Sequence, residues 1–200
     1  KNLTKTWLLY LRKNKNSEEK NMKKILRIIV LIVLCNSTTI YGIDKIGVEL
    51  DLYPFITGGN YMGAYVAQNG FKYRVIRAES NMPEFMLQNN IENVNLEVYA
   101  FIVDYYFDKT DYKGLWFGIG GERWNNRIDE KNGVKNVGFS QNIFTFGGGY
   151  LFELTDRIFI NPWAAVHVNM GNKREKIIGD TSYEIKKIIP EVSVKLGYSF

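Results

Sequence analysis

Apolar and polar residues alternate with a period of two through residues 43–200, as in β-strands that turn one face to an apolar environment. The clearest apolar face consists of Pro190, Val192, Val194, Leu196, Tyr198 and Phe200. Eight alternating segments are predicted to be strands, at about 44–53, 60–68, 71–80, 94–107, 114–126, 139–153, 157–170 and 183–200. No stretch after residue 42 shows a clear helical period, so we predict an all-β fold.

The connections between these segments alternate in length. Three are short turns, at Asn69-Gly70, 108–113 and 154–156. Three others, at 81–93, 127–138 and 171–182, are mostly polar and about a dozen residues long, whereas the first connection, near 54–59, is short. Asn-Gly favours the type I′ turn of a hairpin. Short turns at one end and long loops at the other predict an up-and-down antiparallel barrel.

Aromatic residues collect at the end of the barrel that carries the short turns. Those that face outward under the predicted topology are Tyr105, Phe107, Phe117, Tyr150, Phe152, Tyr198 and Phe200. Aromatic rings favour the boundary between hydrocarbon and water. Their common level therefore predicts a barrel whose apolar face points out to lipid.

The chain ends on an alternating motif with a terminal aromatic residue, Val194-Lys195-Leu196-Gly197-Tyr198-Ser199-Phe200. This motif resembles the C-terminal signal of bacterial outer-membrane barrels, and residues 43–200 are similar in size to the eight-stranded OmpA/OmpX-type class. The resemblance implies a transmembrane eight-stranded β-barrel in the outer membrane, in contact with lipid and lipopolysaccharide. It also implies that the barrel-assembly machinery recognises Leu196, Tyr198 and Phe200. We expect the barrel to be a monomer.

Residues 22–42 have the three parts of a secretory signal peptide. Met22 is followed by two lysines, the apolar run 25–34 is interrupted only by Arg27, and cleavage is expected after Thr39 or Gly42. A membrane anchor would need about 18 consecutive apolar residues, which exceeds this run. We therefore expect translation to start at Met22, residues 1–21 to be an upstream extension, and residues 43–200 to form the mature barrel.

The charge of the chain is unevenly distributed. The formal net charge is +5, but residues 1–42 hold nine of the 26 Lys and Arg residues and two of the 21 Asp and Glu residues. Residues 43–200 therefore carry 17 basic and 19 acidic residues, a net charge of −2. A nucleic-acid partner needs a basic face, so none is expected. Cys35, the only cysteine, precedes the expected cleavage site, which excludes disulfides and a CxxC metal or redox site from the barrel. No cofactor or metal is expected.

Charged residues occupy the face predicted to point into the barrel: Glu49, Asp51, Lys72, Arg74, Asp104, Glu122, Glu191 and Lys195. The lumen of an eight-stranded barrel is just wide enough for side chains to fill. Because an unpaired buried charge costs about several kcal/mol, opposite charges are expected to pair. We predict a charge network that plugs the lumen, with a narrow conducting pathway as the alternative.

Two glycine clusters, Gly118-Ile119-Gly120-Gly121 and Gly147-Gly148-Gly149, match no nucleotide-binding fingerprint. We predict that they allow strand curvature and make room for bulky neighbours such as Trp116 or Trp163.

His167 is the only histidine and is predicted to face the lumen. Barrel-type lipid A deacylases use a His-x-Ser arrangement with an acid, but here Asn169 stands at the nucleophile position. With no hydroxyl in reach, nucleophilic catalysis fails, and a lone histidine is poor evidence for a metal site. We therefore expect that the protein is not an enzyme.

The predicted function is that of a non-enzymatic outer-membrane barrel with a structural or surface-interaction role, and with narrow-pore activity as a lesser option. A lipid-modifying membrane enzyme is one alternative, distinguished by a Ser or Thr hydroxyl within reach of His167. A soluble lipocalin-like periplasmic barrel is another, and its apolar face would point inward around a ligand.

Overall fold

The computed structural model describes residues 42–84, 87–88, 91–130, 136–179 and 181–200. Eight strands form a closed antiparallel barrel. Each pairs with the barrel strands before and after it in the chain, and the last pairs with the first. They are β1 (Lys45–Asp51), β2 (Asn60–Gln68), β3 (Phe71–Asn81), β4 (Ile91–Tyr106), β5 (Gly114–Glu130), β6 (Asn136–Glu153), β7 (Ile158–Asn169) and β10 (Ile188–Ser199). A short helix α1 (Leu52–Ile56) follows β1, and a hairpin of β8 (Glu175–Ile178) and β9 (Thr181–Glu184) lies between β7 and β10. The predicted eight-stranded antiparallel barrel is confirmed.

Several predicted strands have different bounds in the structure. Strand β4 begins at Ile91, β5 continues to Glu130 and β6 begins at Asn136, so parts of the loops predicted at 81–93 and 127–138 are strand. The first ends at Asp51 because its carboxylate accepts a hydrogen bond from the Tyr53 N–H and starts α1 as its N-cap. The last begins at Ile188, since Tyr183 and Glu184 belong to β9. Residues 1–41 lie outside the described part of the chain, and with them the expected upstream extension and nearly all of the signal peptide. Within the described ranges, no helix is long and apolar enough to cross a membrane.

The short turns close one end of the barrel, which we call the turn end. Asn69 and Gly70 both have positive φ, 54° and 84°, as a type I′ turn requires. The Tyr112 hydroxyl accepts a hydrogen bond from the Gly70 N–H at 3.0 Å and donates one to the Asp44 carboxylate. Burial, together with that carboxylate, raises the pKa of Tyr112 to about 12, so the phenol keeps the proton it donates.

An apolar band covers the outside of the barrel from the turn end to about mid-height. Its aromatic rings contact one another between and along strands, with centroids 5.3 Å apart for Phe71 and Tyr105 and 4.5 Å apart for Tyr150 and Phe152. On β4 the apolar outward positions run from Tyr99 to Phe107. At about 3.3 Å per residue and a tilt of about 40°, this stretch is roughly 20 Å high, close to the ~25 Å band of membrane barrels.

The outward face changes from apolar to polar along one row of paired residues on β3–β6. Strand pairing places Arg77, Tyr99, Arg123 and Asn142 in one row across these four strands. The next row towards the loops consists of Glu79, Glu97, Asn125 and Ser140. Hydrogen bonds join the two rows, including Arg77 Nη2 to Glu97 Oε1 at 3.1 Å. We call the boundary formed by these two rows the polarity switch.

The inward face changes in the opposite sense beyond the polarity switch. Its side chains form an apolar cluster of Ile91, Val94, Ile128, Ile178, Tyr183 and Ile185, against which Met82, Leu87, Val137 and Phe139 pack. We call residues 77–81, 91–98, 123–130 and 136–142, together with the β8–β9 hairpin, the loop-end extension. This extension has the polarity of a soluble β-structure, apolar inside and polar outside. The rest of the barrel is apolar outside and holds both charged and aromatic side chains inside.

Gly118 on β5 faces the lumen, where a side chain would collide with its neighbours. A Cβ there would lie 2.2 Å from Asp104 Oδ1 and 3.2 Å from the Trp116 ring, in line with the predicted packing of glycine against bulky neighbours. Gly121 on the same strand faces outward, and its Cβ would meet nothing within 4 Å.

We expect Gly118→Ala to lower the free energy of unfolding by about 1–3 kcal/mol through overpacking, and Gly121→Ala to leave it nearly unchanged. Urea unfolding of both variants in lipid vesicles measures the difference. Equal effects would mean that the lumen at Gly118 is roomier than the structure has it.

Candidate functional site in the barrel lumen

The eight predicted inward charges fall into three groups. Glu49, Lys72, Arg74 and Asp104 form one buried cluster, and each is at most 5% exposed. Asp51 and Lys195 are equally buried but lie beside it without joining an ion pair. Glu122 and Glu191 lie closer to the loops and meet at His167.

The four-charge cluster of Glu49, Lys72, Arg74 and Asp104 pairs each charge with an opposite one. Glu49 accepts from Lys72 Nζ at 2.7 Å and from Arg74 Nη1 at 3.0 Å. Arg74 also meets Asp104, through Nε at 2.7 Å and Nη2 at 2.9 Å. Two acids and two bases balance, so no charge of this cluster is left alone in the low-dielectric interior.

Asp51 and Lys195 are direct cross-strand neighbours, yet the structure does not pair them. Asp51 accepts instead from Trp163 Nε1 at 2.7 Å, from the Tyr53 N–H at 3.1 Å and from the Ser193 hydroxyl. Lys195 Nζ lies over the Trp163 ring, 3.9 Å from its centre, and 5.5 Å from the centre of the Trp116 ring. The indole of Trp163 thus serves both residues, as a donor to the carboxylate and as an aromatic surface for the ammonium.

His167 lies between two carboxylates and a hydroxyl. Its Nε2 is 2.8 Å from Glu191 Oε2, and its Nδ1 is 2.8 Å from Thr145 Oγ1 and 3.3 Å from Glu122 Oε1. Thr145 in turn donates to Glu122 Oε1 at 2.7 Å. The Trp124 ring packs on the imidazole with a centroid distance of 5.2 Å.

The expectation that no hydroxyl reaches His167 is wrong. Thr145 stands directly opposite His167 in the β6–β7 ladder. The two residues are 22 positions apart along the chain, so the sequence around His167 does not show this contact. Both residues have the inward parity of their strands, which was the only available signal. The hydroxyl has one proton, and Glu122 competes with the ring for it. No group of three or more His, Cys, Asp or Glu in the described residues is arranged to hold a metal ion.

The four-charge cluster divides the lumen into two unequal spaces. On the loop side is a cavity of about 500 Å³, whose lining includes Arg74 and Trp116. On the turn side is a cavity of about 20 Å³, whose lining includes Lys72 and Tyr106 and which is about large enough for one water molecule. A buried cluster fills the rest of the turn end: Tyr65, Ala67, Tyr106, Tyr112, Trp116, Leu151 and Phe159.

The C-terminal residues Leu196 and Phe200 point outward from β10, 43% and 76% exposed, with Tyr198 between them on the same face. The Phe200 N–H donates to Ile46 O at 2.8 Å, which holds the end of the chain against β1. Recognition of this face by the assembly machinery stays a prediction.

No protein-family model and no curated protein sequence matches the chain. Two solved structures of similar shape are the N-terminal β-barrel domain of Pseudomonas aeruginosa OprF and Neisserial surface protein A (NspA). The OprF domain is 14% identical with a TM-score of 0.49, over 80% of this chain and 100% of that one. NspA is 12% identical with a TM-score of 0.49, over 78% of this chain and 94% of that one. At this identity neither match indicates what this chain binds or does.

Proposed function

We propose that the chain is a non-enzymatic outer-membrane β-barrel protein that displays the loop-end extension at the cell surface for structural or recognition purposes. In this proposal the apolar band lies in the membrane, the turn end faces the periplasm and the extension stands in water outside the cell.

The observation that carries the proposal is the polarity switch. Below it, exposed side chains such as Phe101, Ile119 and Phe146 are 46–59% accessible, and the interior holds the four-charge cluster as well as the buried aromatic cluster of the turn end. Above it, apolar residues are inside and polar residues outside. A soluble barrel would keep its apolar face inward along its whole height, whereas a membrane barrel that projects beyond the bilayer must exchange its faces at the membrane boundary. The outward face of β7 is apolar along its length. Met170, the residue after β7, donates its N–H to the carbonyl oxygen of Asn142, which belongs to the polarity switch.

The filled turn end supports a surface role over conduction. The four-charge cluster satisfies its own charges, and the aromatic cluster beneath it leaves space for about one water molecule. Ions would have to break buried pairs to pass, so we expect no steady conductance in a planar bilayer.

A lipid-modifying enzyme is favoured by one observation, the Thr145 hydroxyl 2.8 Å from His167 Nδ1. Three facts weigh against it. Thr145 already donates to Glu122, His167 is 3% exposed, and both residues face the lumen rather than the lipid. A hydroxyl that acts on lipid needs access to it, so the non-enzymatic function is preferred.

Cell fractionation followed by gel mobility with and without heating tests the proposal. We expect the protein in the outer-membrane fraction, with a compact band that shifts on boiling. Protease added to intact cells should cut within the loop-end connections and leave the turn end intact, with a periplasmic soluble protein as the control for leakage. A soluble periplasmic protein without heat-shifted mobility would overturn the proposal, and steady single-channel conductance would replace the surface role with a pore.

A further inference from the structure

The 500 Å³ cavity in the loop half of the lumen is large enough for a small organic molecule, since ligand pockets usually have about 300–1,000 Å³. Its lining includes Arg74 of the four-charge cluster and Lys195 at the floor, and Tyr53 of α1 and Tyr183 of β9 at the cover.

The walls of this cavity differ in chemistry. Between Arg74 and Ser80 of β3, and on the facing part of β4, the lining side chains are apolar: Ile76, Ala78, Val98, Ala100 and Ile102. Three indoles, those of Trp116, Trp124 and Trp163, add aromatic surface to the lining. Most of the interior therefore suits an apolar body of aromatic or aliphatic character.

Two hydrogen-bond donors at the floor lack an acceptor. Lys195 is 2% exposed, and no hydrogen bond or carboxylate within 4.0 Å is found for its Nζ among the described residues. Tyr61 is 8% exposed, lines the same cavity, and has a buried hydroxyl with no partner in the described part of the chain. Lys195 stands opposite Asp51 in the β1–β10 ladder, and Gly63 stands opposite Glu49 in the β1–β2 ladder. Continuing the second register by two residues brings Tyr61 to the other side of Asp51. Burying donors without acceptors costs free energy, which a ligand acceptor would recover.

Each of three carboxylates that line the cavity already accepts at least one hydrogen bond. Asp51 accepts from three donors, Glu122 accepts from Thr145 and Trp124, and Glu191 accepts from His167. A ligand amine would therefore find fewer open partners than a ligand carboxylate would.

We propose that this cavity binds a small amphipathic monocarboxylate. The carboxylate is held by Lys195 Nζ and the Tyr61 hydroxyl, and the apolar body lies against the β3–β4 wall and the indoles. The inference goes beyond the proposed surface role and holds wherever the barrel resides.

The test uses 4-(4-bromophenyl)butyrate with the matching alcohol and amine, added to the folded protein in detergent. Bromine quenches tryptophan on contact, and Trp116, Trp124 and Trp163 line the cavity. We expect saturable quenching with affinities in the order carboxylate, alcohol, amine. In Lys195→Met the affinity for the carboxylate should fall about tenfold or more, the size of one charge-assisted hydrogen bond, while that for the alcohol changes little. Tyr61→Phe should cause a smaller loss of the same kind.

Lys109→Met, at the exposed turn end, is the matched control and should bind like the wild type. Heat-shifted gel mobility checks that each variant is folded, and the ligand series on the wild type stands even if Lys195→Met does not fold. Absence of saturable quenching would mean a cavity filled by water only. Equal affinity for carboxylate and amine, or an unchanged affinity in folded Lys195→Met, would equally overturn the proposal.

Discussion

Replacing Arg74 by Met should lower the free energy of unfolding by about 3–5 kcal/mol, the usual cost of removing one partner from a buried charge network. Arg74 is the only cation in contact with Asp104 among the described residues, and it shares Glu49 with Lys72. Without it, Asp104 would remain at 1% exposure with no cation beside it. Urea unfolding in lipid vesicles, followed by tryptophan fluorescence, measures the loss.

Arg77→Met is the matched control, because Arg77 lies on the same strand but points outward and its side chain is 36% exposed. Its ion pairs with Glu79 and Glu97 should contribute no more than about 1 kcal/mol. The double variant Arg74→Met with Asp104→Asn should be more stable than Arg74→Met alone, since Glu49 keeps Lys72 and no lone carboxylate remains. Equal stability of the two arginine variants would exclude a structural charge plug.

Replacing Ile119 by Arg should cost about 2–4 kcal/mol in lipid vesicles, as charges do at the middle of a membrane barrel's outer face. Ile119 is 59% exposed, points outward from β5, and is paired with Val103 near the middle of the apolar band. In the proposed location, its surroundings are hydrocarbon, so the guanidinium would lose its hydration. The measurement is again the free energy of unfolding.

Asn136→Arg is the control for Ile119→Arg, because Asn136 is exposed beyond the polarity switch and pairs with Asp129. There the new charge should lie in water and change the stability by less than about 0.5 kcal/mol. A soluble barrel predicts a different result, since Arg at an exposed position in water costs almost nothing. If Ile119→Arg is as stable as Asn136→Arg, the membrane location of the band is wrong.

The mixed polarity of the barrel explains why two of the alternatives from sequence each describe part of the molecule. Residues such as Phe101 and Val103 follow the outward-apolar pattern of a membrane barrel, whereas Val94 and Ile128 follow the inward-apolar pattern of a lipocalin-like one. Alternation has the same period in both cases. The two patterns differ only in which face of the strand is apolar, and the position along the barrel where the apolar face changes is set by the pairing of neighbouring strands.

The order of residues along the chain is sufficient to predict the number of barrel strands, their antiparallel order, the Asn69-Gly70 turn and which side chains share a face. Alternation carries this information because consecutive side chains of a strand point to opposite faces. The same alternation predicts that residues such as Glu49 and Lys195 face the lumen, where the structure has them buried.

Which inward residues contact one another depends on the tertiary structure. Arg74 contacts Asp104, Thr145 reaches His167, and Lys195 rests on Trp163 because strand pairing and the stagger of the closed barrel set the height of each residue. The parity of a residue along its strand does not contain that height. The same pairing places Arg77, Arg123 and Asn142 in one row, and among the described residues the buried Tyr61 hydroxyl at the floor of the cavity has no partner.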